Sequence, residues 1–353
     1  MGLIIALVVV LAIVGITSLG VQLGLTGVFG VGLPYLAIAI FVIGVIYRIL
    51  NWAKVPVPFR IPTTCGQEKS LDFIKTNPID NPTSKLAVIV RMFLEVTVFR
   101  SLFRNSKAEL TEDGRIVYQW EKWLWIFALL FHWGMFFVIM RHMRFFAGEV
   151  PAIVRTLEKI DGVMLIDLHP IYLTGFFMLF GLLGLLLRRI LLPKVRYISL
   201  LNDYFPLVLL LSIVCSGMLM RYLTRVDVSH IRELIISLYT FHPQVPEAGA
   251  IATIFYIHLA LVSTLLIYFP MSKLMHAFGV FMSPTRNMVN NSRKVHHTNP
   301  WNYPVEVHTY EEYEDEYRDK MAAVGLPLDK SVEQAQADAE KGIHAKHGVM
   351  SDV

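Results

Sequence analysis

The first charged side chain in this sequence is Arg48, and everything before it is apolar or uncharged. A water-soluble domain does not leave that much chain without a charge. Charge-free runs of about 20 residues match a hydrocarbon core ~30 Å thick at ~1.5 Å of rise per helical residue, so each such run predicts a helix that crosses a membrane. Over the whole chain, hydrophobic residues make up 55% and charged residues only 17%. The fold class is therefore all-α and integral to a cell membrane, with lipid as its first partner and no nucleic acid expected.

Six spans are predicted, at residues 2–19, 33–50, 120–146, 169–192, 203–223 and 251–276. The first run lacks a basic n-region and is followed closely by a second, so it reads as a retained helix and not a cleaved signal. Residues 1–32 then form an extra N-terminal span, residues 33–282 the main membrane domain and residues 283–353 a cytoplasmic tail. Lys and Arg collect on cytoplasmic loops. Arg48, Lys54, Arg60 and Lys69 follow the second span, RRILLPKVR follows the fourth, and Arg286, Arg293 and Lys294 follow the sixth. Both termini are thus expected in the cytoplasm.

The loop at residues 51–119 opens with VPVPFRIPTTCGQ and contains SKLAVIVRMFLEVTVFRSLFRNSK. Arg91, Glu95, Arg100 and Arg104 recur there every four or five residues, which puts them roughly on one helical face. That pattern predicts a helix lying in the membrane interface; a seventh span is the alternative. Cys65 and Cys215 are too few and too scattered for a disulfide framework, a zinc site or an iron–sulfur cluster held by this chain alone. In the tail, TYEEYEDEYRDK is strongly acidic, and DKSVEQAQADAEKG is either helical or disordered.

Polar groups inside lipid are costly and usually functional. The third span carries His132 and His142 ten residues apart, and the sixth carries His258 and His276 eighteen apart. Two antiparallel helices with two imidazoles each can sandwich two hemes, one ring from each side of each macrocycle. Depth pairs His142 with His258 and His132 with His276. Ten residues rise about 15 Å, but eighteen rise about 27 Å on an ideal helix. Pro270 lies between the two sixth-span histidines, and a kink or tilt there is expected to absorb part of this difference. Ordinary helix-packing histidines are the competing reading; a metal site other than heme would want carboxylates or thiolates at the same depth. His169 and His242 sit at outer membrane edges, where they line a quinone pocket or cap a helix.

LFHWGMFFVIMRH and IHLALVSTLLIYFPMSKLMH resemble the γ subunit family of respiratory nitrate reductase over roughly residues 33–281. That resemblance implies two b hemes ligated by His132, His142, His258 and His276. RIPTTCGQEKS, FRSLFRN, HHTNPWNYP and TYEEYEDEYRDKM are similar to the DsrM family, the diheme membrane subunits of complexes linked to dissimilatory sulfite reduction. This similarity implies menaquinol exchange near the outer heme and electron delivery to a cytoplasmic Fe–S subunit of the DsrK type, beside DsrJ-, DsrO- and DsrP-like subunits. Heme propionates need cations, and Arg141, Arg144, Arg221 and Arg225 outside, with Arg188 and Arg189 inside, are the candidates. The nitrate reductase family implies a lysine beside the quinol, for which Lys159 is the nearest counterpart; Asp161 and Asp167 are alternative proton acceptors. The rivals are the same diheme scaffold serving a heterodisulfide reductase or hydrogenase, and a non-redox anchor or transporter.

Overall fold

A computed structural model describes residues 1–55, 77–166, 169–245, 249–289 and 308–340. Six helices long and apolar enough to cross a membrane occupy Gly2–Gln22, Val28–Ala53, Lys122–Phe145, Leu173–Leu191, Leu201–Thr224 and Thr253–Met271. Each coincides with one predicted span, and the protein is a multi-pass helical membrane protein. The regular helices that matter below are α1 (Gly2–Gln22), α2 (Leu33–Ala53), α3 (Lys85–Val98), α4 (Lys122–His142), α5 (Ala152–Asp161), α6 (Leu173–Leu191), α7 (Leu201–Leu219), α8 (Val228–Tyr239) and α9 (Thr253–Tyr268).

Helix α7 is the hub. It packs closely on α1, α6 and α9, while α4 packs on α6 and α2 on α9. One core joins Ala6 and Val10 to Tyr204, Val208, Leu209 and Leu261; another joins Phe131 to Met178, Leu182, Leu210, Leu211 and Val214. In lipid, close helix approach rests on small residues. The α4–α6 seam shows why: a Cβ at Gly134 would lie 2.7 Å from the Thr174 carbonyl oxygen, and one at Gly181 would lie 2.7 Å from the Phe131 nitrogen. Helices α4 and α9, which carry His132, His142 and His258, are not among the closely packed pairs.

Two predicted boundaries are corrected. The fourth span starts at Leu173, because His169–Tyr172 is a strand paired with Gly162–Ile166. The sixth span ends before residue 276. Regular α-helix stops at Tyr268, Phe269–Met271 is a 3-10 turn, and Ser272 is extended at φ −116, ψ 176. The chain then resumes as a 3-10 turn at Lys273–Met275 and a short helix at His276–Gly279. Proline removes a donor and crowds the preceding turn, which ends the helix. The Ser272 hydroxyl accepts from Leu274 N–H at 3.1 Å and starts the next turn.

In the long loop, α3 has 14 residues, so at ~1.5 Å per residue it rises about 21 Å and is too short to span. Its polar side faces inward: Arg91 and Glu95 are buried, while Leu86, Ile89, Val90 and Phe93 are exposed. That inversion suits a helix lying in the interface. The expected single charged face does not continue, because Phe99 adopts a left-handed conformation at φ 51. Arg100 and Arg104 therefore leave the α3 face and pair with Asp80. The α3 carbonyls left open at its end are met from α4, Trp133 Nε1 donating to Thr97 O at 2.9 Å and Trp125 Nε1 to Val98 O at 2.7 Å. A hairpin, Ser106–Leu110 with Ile116–Trp120, follows, turned at Gly114 with φ +76. All of VPVPFRIPTTCGQ after Val55 and all of HHTNPWNYP lie outside the described residues, as does Asp167.

The tail is a separate compact unit beginning at Asn299. Its described part is a helix pair, α10 (Tyr310–Ala323) and α11 (Val332–Glu340), which resolves the helix-or-disorder alternative for 332–340 in favour of helix. Thr309 and Glu312 form a capping box at the start of α10. Glu314 is fully buried and accepts from Asp329 N–H at 2.8 Å, Lys330 N–H at 3.1 Å and Arg318 at 3.0 Å.

Candidate functional site: two imidazole pairs

The chain brings the four predicted histidines together two by two. His132 and His276 face each other with ring centres 6.0 Å apart and ring planes at 79°. Phe99, from the end of α3, packs edge-on to His132 at 4.9 Å and Phe131 at 4.8 Å. His142 and His258 lie within electrostatic reach of one another one level away. The crossed pairing expected from depth is the one the fold adopts. The break at residues 269–276 removes the length mismatch, since His276 is not on the α9 helix and the straight-rod rise does not apply to it.

Each ring is held through its Nδ1. His132 Nδ1 bonds to the Ala128 carbonyl at 2.7 Å, His142 Nδ1 to the Val138 carbonyl at 2.7 Å, and His276 Nδ1 to the Lys273 carbonyl at 2.8 Å. A carbonyl can only accept, so Nδ1 carries the proton in all three and Nε2 carries the lone pair. His258 Nδ1 lies 2.9 Å from Ser216 Oγ on α7. That hydroxyl donates to the Ile213 carbonyl at 3.0 Å, which leaves its oxygen to accept from His258. All four rings therefore carry the lone pair on Nε2, the atom that would ligate a metal. Sequence reasoning did not reach Ser216, because one serine in an apolar span carries no signal until its neighbour across the seam is known.

These features fit axial ligation of heme. Metal–nitrogen bonds of about 2 Å on each side of one ion, with half a ring beyond each, put two axial ring centres roughly 6 Å apart. The observed separation of His132 and His276 agrees. Among the described residues no cluster of three or more His, Cys, Asp or Glu converges, so the donors come as pairs. A macrocycle supplies the remaining four positions in such a site.

The predicted cations divide. At the His142 end, Arg141 and Arg221 both stand over the Tyr172 ring, at 3.9 and 4.2 Å from its centre. Arg141 also pairs with buried Asp161 at 2.8 Å, and Asp161 accepts from Thr174 N–H at 2.8 Å and from its hydroxyl. Arg221 donates to the Pro170 carbonyl at 3.3 Å. Arg144 pairs with Glu158 at 2.8 Å. At the His276 end, Arg188 pairs with Glu121 at 3.1 Å, and Arg189 bonds Ser199 at 3.0 Å and lies 3.7 Å from Asp203. Lys273 reaches the same Asp203 at 2.7 Å. Lys159 is exposed on α5, on a different face from inward-turned Asp161, and is not brought to the histidines.

Comparison with known proteins points to a family. The chain is 47% identical over 268 residues to the Hdr-like menaquinol oxidoreductase cytochrome b-like subunit of Archaeoglobus fulgidus, covering 74% of this chain and 80% of that protein. It is 43% identical over 261 residues to the protein of the same name from Archaeoglobus profundus, covering 72% and 77%. The nitrate reductase gamma subunit family profile matches residues 88–293, a stretch that contains all four histidines. The chain belongs to the nitrate reductase gamma subunit family.

Proposed function

We propose that this chain is the diheme cytochrome b subunit of a menaquinol-reactive complex of the Hdr-like kind, an electron conduit between the quinone pool and a cytoplasmic Fe–S subunit. The observation that carries the reading is the pair of imidazole pairs, every Nδ1 engaged and every Nε2 left to ligate. His132 with His276, and His142 with His258, would hold one b heme each; the hemes supply one-electron transfer when bound. The Lys and Arg distribution supports placing the His132–His276 pair on the cytoplasmic side. Menaquinol then exchanges at the opposite end, where Arg141, Asp161, Thr174, Tyr172 and Arg221 form a buried polar network able to orient an incoming headgroup and take its proton.

The names of the two relatives favour an Hdr-like complex over the sulfite-reduction complex expected from the loop and tail motifs. A DsrM-type role, with DsrK-, DsrJ-, DsrO- and DsrP-like partners, rests on those motifs alone and is the second reading. Affinity purification from native membranes decides between them by the identity of the co-purifying Fe–S subunit. The decisive test of the main reading is a dithionite-reduced minus oxidised spectrum of the purified chain with iron and protein quantified. Two b-type hemes per chain support it; a chain without b-type absorbance overturns it.

A further inference from the structure

Arg48 is half-buried in the last turns of the second membrane-crossing helix. It lies on α2, whose residues Gly44, Arg48 and Trp52 recur every four residues and so share one helical face. Both neighbours on that face touch the broken segment that delivers His276. A Cβ at Gly44 would come within 2.6 Å of Pro270, and a Cβ at Gly279 would meet Trp52 at 3.6 Å. Phe41, nearly a turn before Gly44, packs on Phe269 with ring centres 5.4 Å apart. Arg48 is thus bracketed between the levels of Pro270 and Gly279, the interval that holds His276.

Among the described residues no carboxylate pairs with it. The guanidinium stands 5.6 Å from the Trp52 ring centre, and its Nε is buried with no hydrogen-bond partner. Among the described residues, Glu121 is taken by Arg188, and Asp203 by Lys273, Arg189 and the Leu200 N–H. A half-buried guanidinium with its Nε shielded from water is stabilised by an anion, and its planar fork matches a carboxylate.

We infer that Arg48 binds a propionate carboxylate of the heme held by His132 and His276. This rests on the diheme reading above. The cation beside the macrocycle favours the reduced, more negative iron, so its removal lowers that heme's reduction potential and leaves the other unchanged.

The test is a spectroscopic redox titration of the purified full-length chain, with His276→Ala identifying which wave belongs to the His132–His276 heme. R48Q is expected to lower the equilibrium constant for reducing that heme roughly tenfold, about 59 mV for a one-electron couple, with the second heme unmoved. R48K keeps the charge but loses the fork and should fall between R48Q and wild type; it carries the test alone if R48Q does not accumulate. A wild-type midpoint for that heme in every variant that folds overturns the inference, and loss of bound anionic phospholipid in such a variant would assign Arg48 to a lipid headgroup instead. A wild-type chain without heme would overturn the diheme reading itself, a result distinct from an unmoved midpoint in a chain that holds both hemes.

Discussion

The two imidazole pairs are built differently, although α4 serves both in the same way. His132 and His142 each bond the carbonyl four residues earlier, a device internal to one helix. Their partners diverge. His258 sits inside the unbroken α9 helix and is oriented from another helix, by Ser216 of α7. His276 sits past a helix break and is oriented by its own turn, through the Lys273 carbonyl. One ring depends on a long-range contact and a regular backbone, the other on an irregular backbone and a local contact. A hydrogen bond to the other ring nitrogen fixes tautomer and ring orientation at metal sites, so the two sites should fail under different substitutions.

The largest expected effect comes from removing a ligand. His132→Ala or His276→Ala should abolish one of two b-type signals, about half of the reduced absorbance, and His142→Ala or His258→Ala should abolish the other. If each substitution removes both signals or neither, the pairing is wrong. Next in size is restoration of the helix through the break. Pro270→Ala with Ser272→Ala returns a backbone donor at 270 and deletes the hydroxyl that restarts the turn. Continuous helix would carry residue 276 farther along the axis, so the His132–His276 signal should be lost or depleted while the His142–His258 signal stays. Equal loss of both would mean that the break supports the whole bundle and not one site.

That break also marks where the sequence stops being readable. Spans are legible because hydropathy over some 20 residues averages out local detail, and the histidines are legible because imidazoles in such runs are rare. The path from Tyr268 to His276 is not, since Pro270 signals a disruption but not whether the chain kinks, tilts or breaks. Helices α5 and α8 lie in loops whose charge content masks their helical periodicity. Helix α8 docks through Ile231, Leu234 and Leu238, a 3.6-residue pattern, against Phe255 and Tyr256, and Tyr35 donates to Leu238 O at 2.8 Å. The TEDG turn between Leu110 and Arg115 held a hairpin signal that the all-α expectation passed over. Arg91 and Glu95 were assigned to one face correctly, but only packing reveals that this face points inward.

A smaller effect is expected from Ser216→Ala. It removes the acceptor for His258 Nδ1 and leaves every α4 bond in place. Outer partners of metal-bound imidazoles typically contribute about tenfold or more in affinity, so heme at the His142–His258 site should exchange about tenfold faster to an apo-globin acceptor. Heme at the other site should exchange at the wild-type rate. A parallel acceleration at both sites would remove the distinction between long-range and local anchoring.

The smallest test probes the same contact without deleting it. Gly217 follows Ser216 on α7, and a Cβ there would lie 3.3 Å from His258 Cε1. That distance is closer than most Cβ contacts, so the ring must yield by a few tenths of an ångström. Cε1 lies between the two ring nitrogens, and Nδ1 is held by Ser216, so a push on Cε1 turns the imidazole about that bond and moves Nε2. Gly217→Ala should therefore keep both hemes and shift only the low-spin ferric electron paramagnetic resonance signal of the His142–His258 site, since that signal reports the angle between axial rings. The local anchoring of His276 by Lys273 predicts no change in the second signal. A shift in both would show that α7 couples the two levels, and the sites would then have to be treated as one mechanical unit.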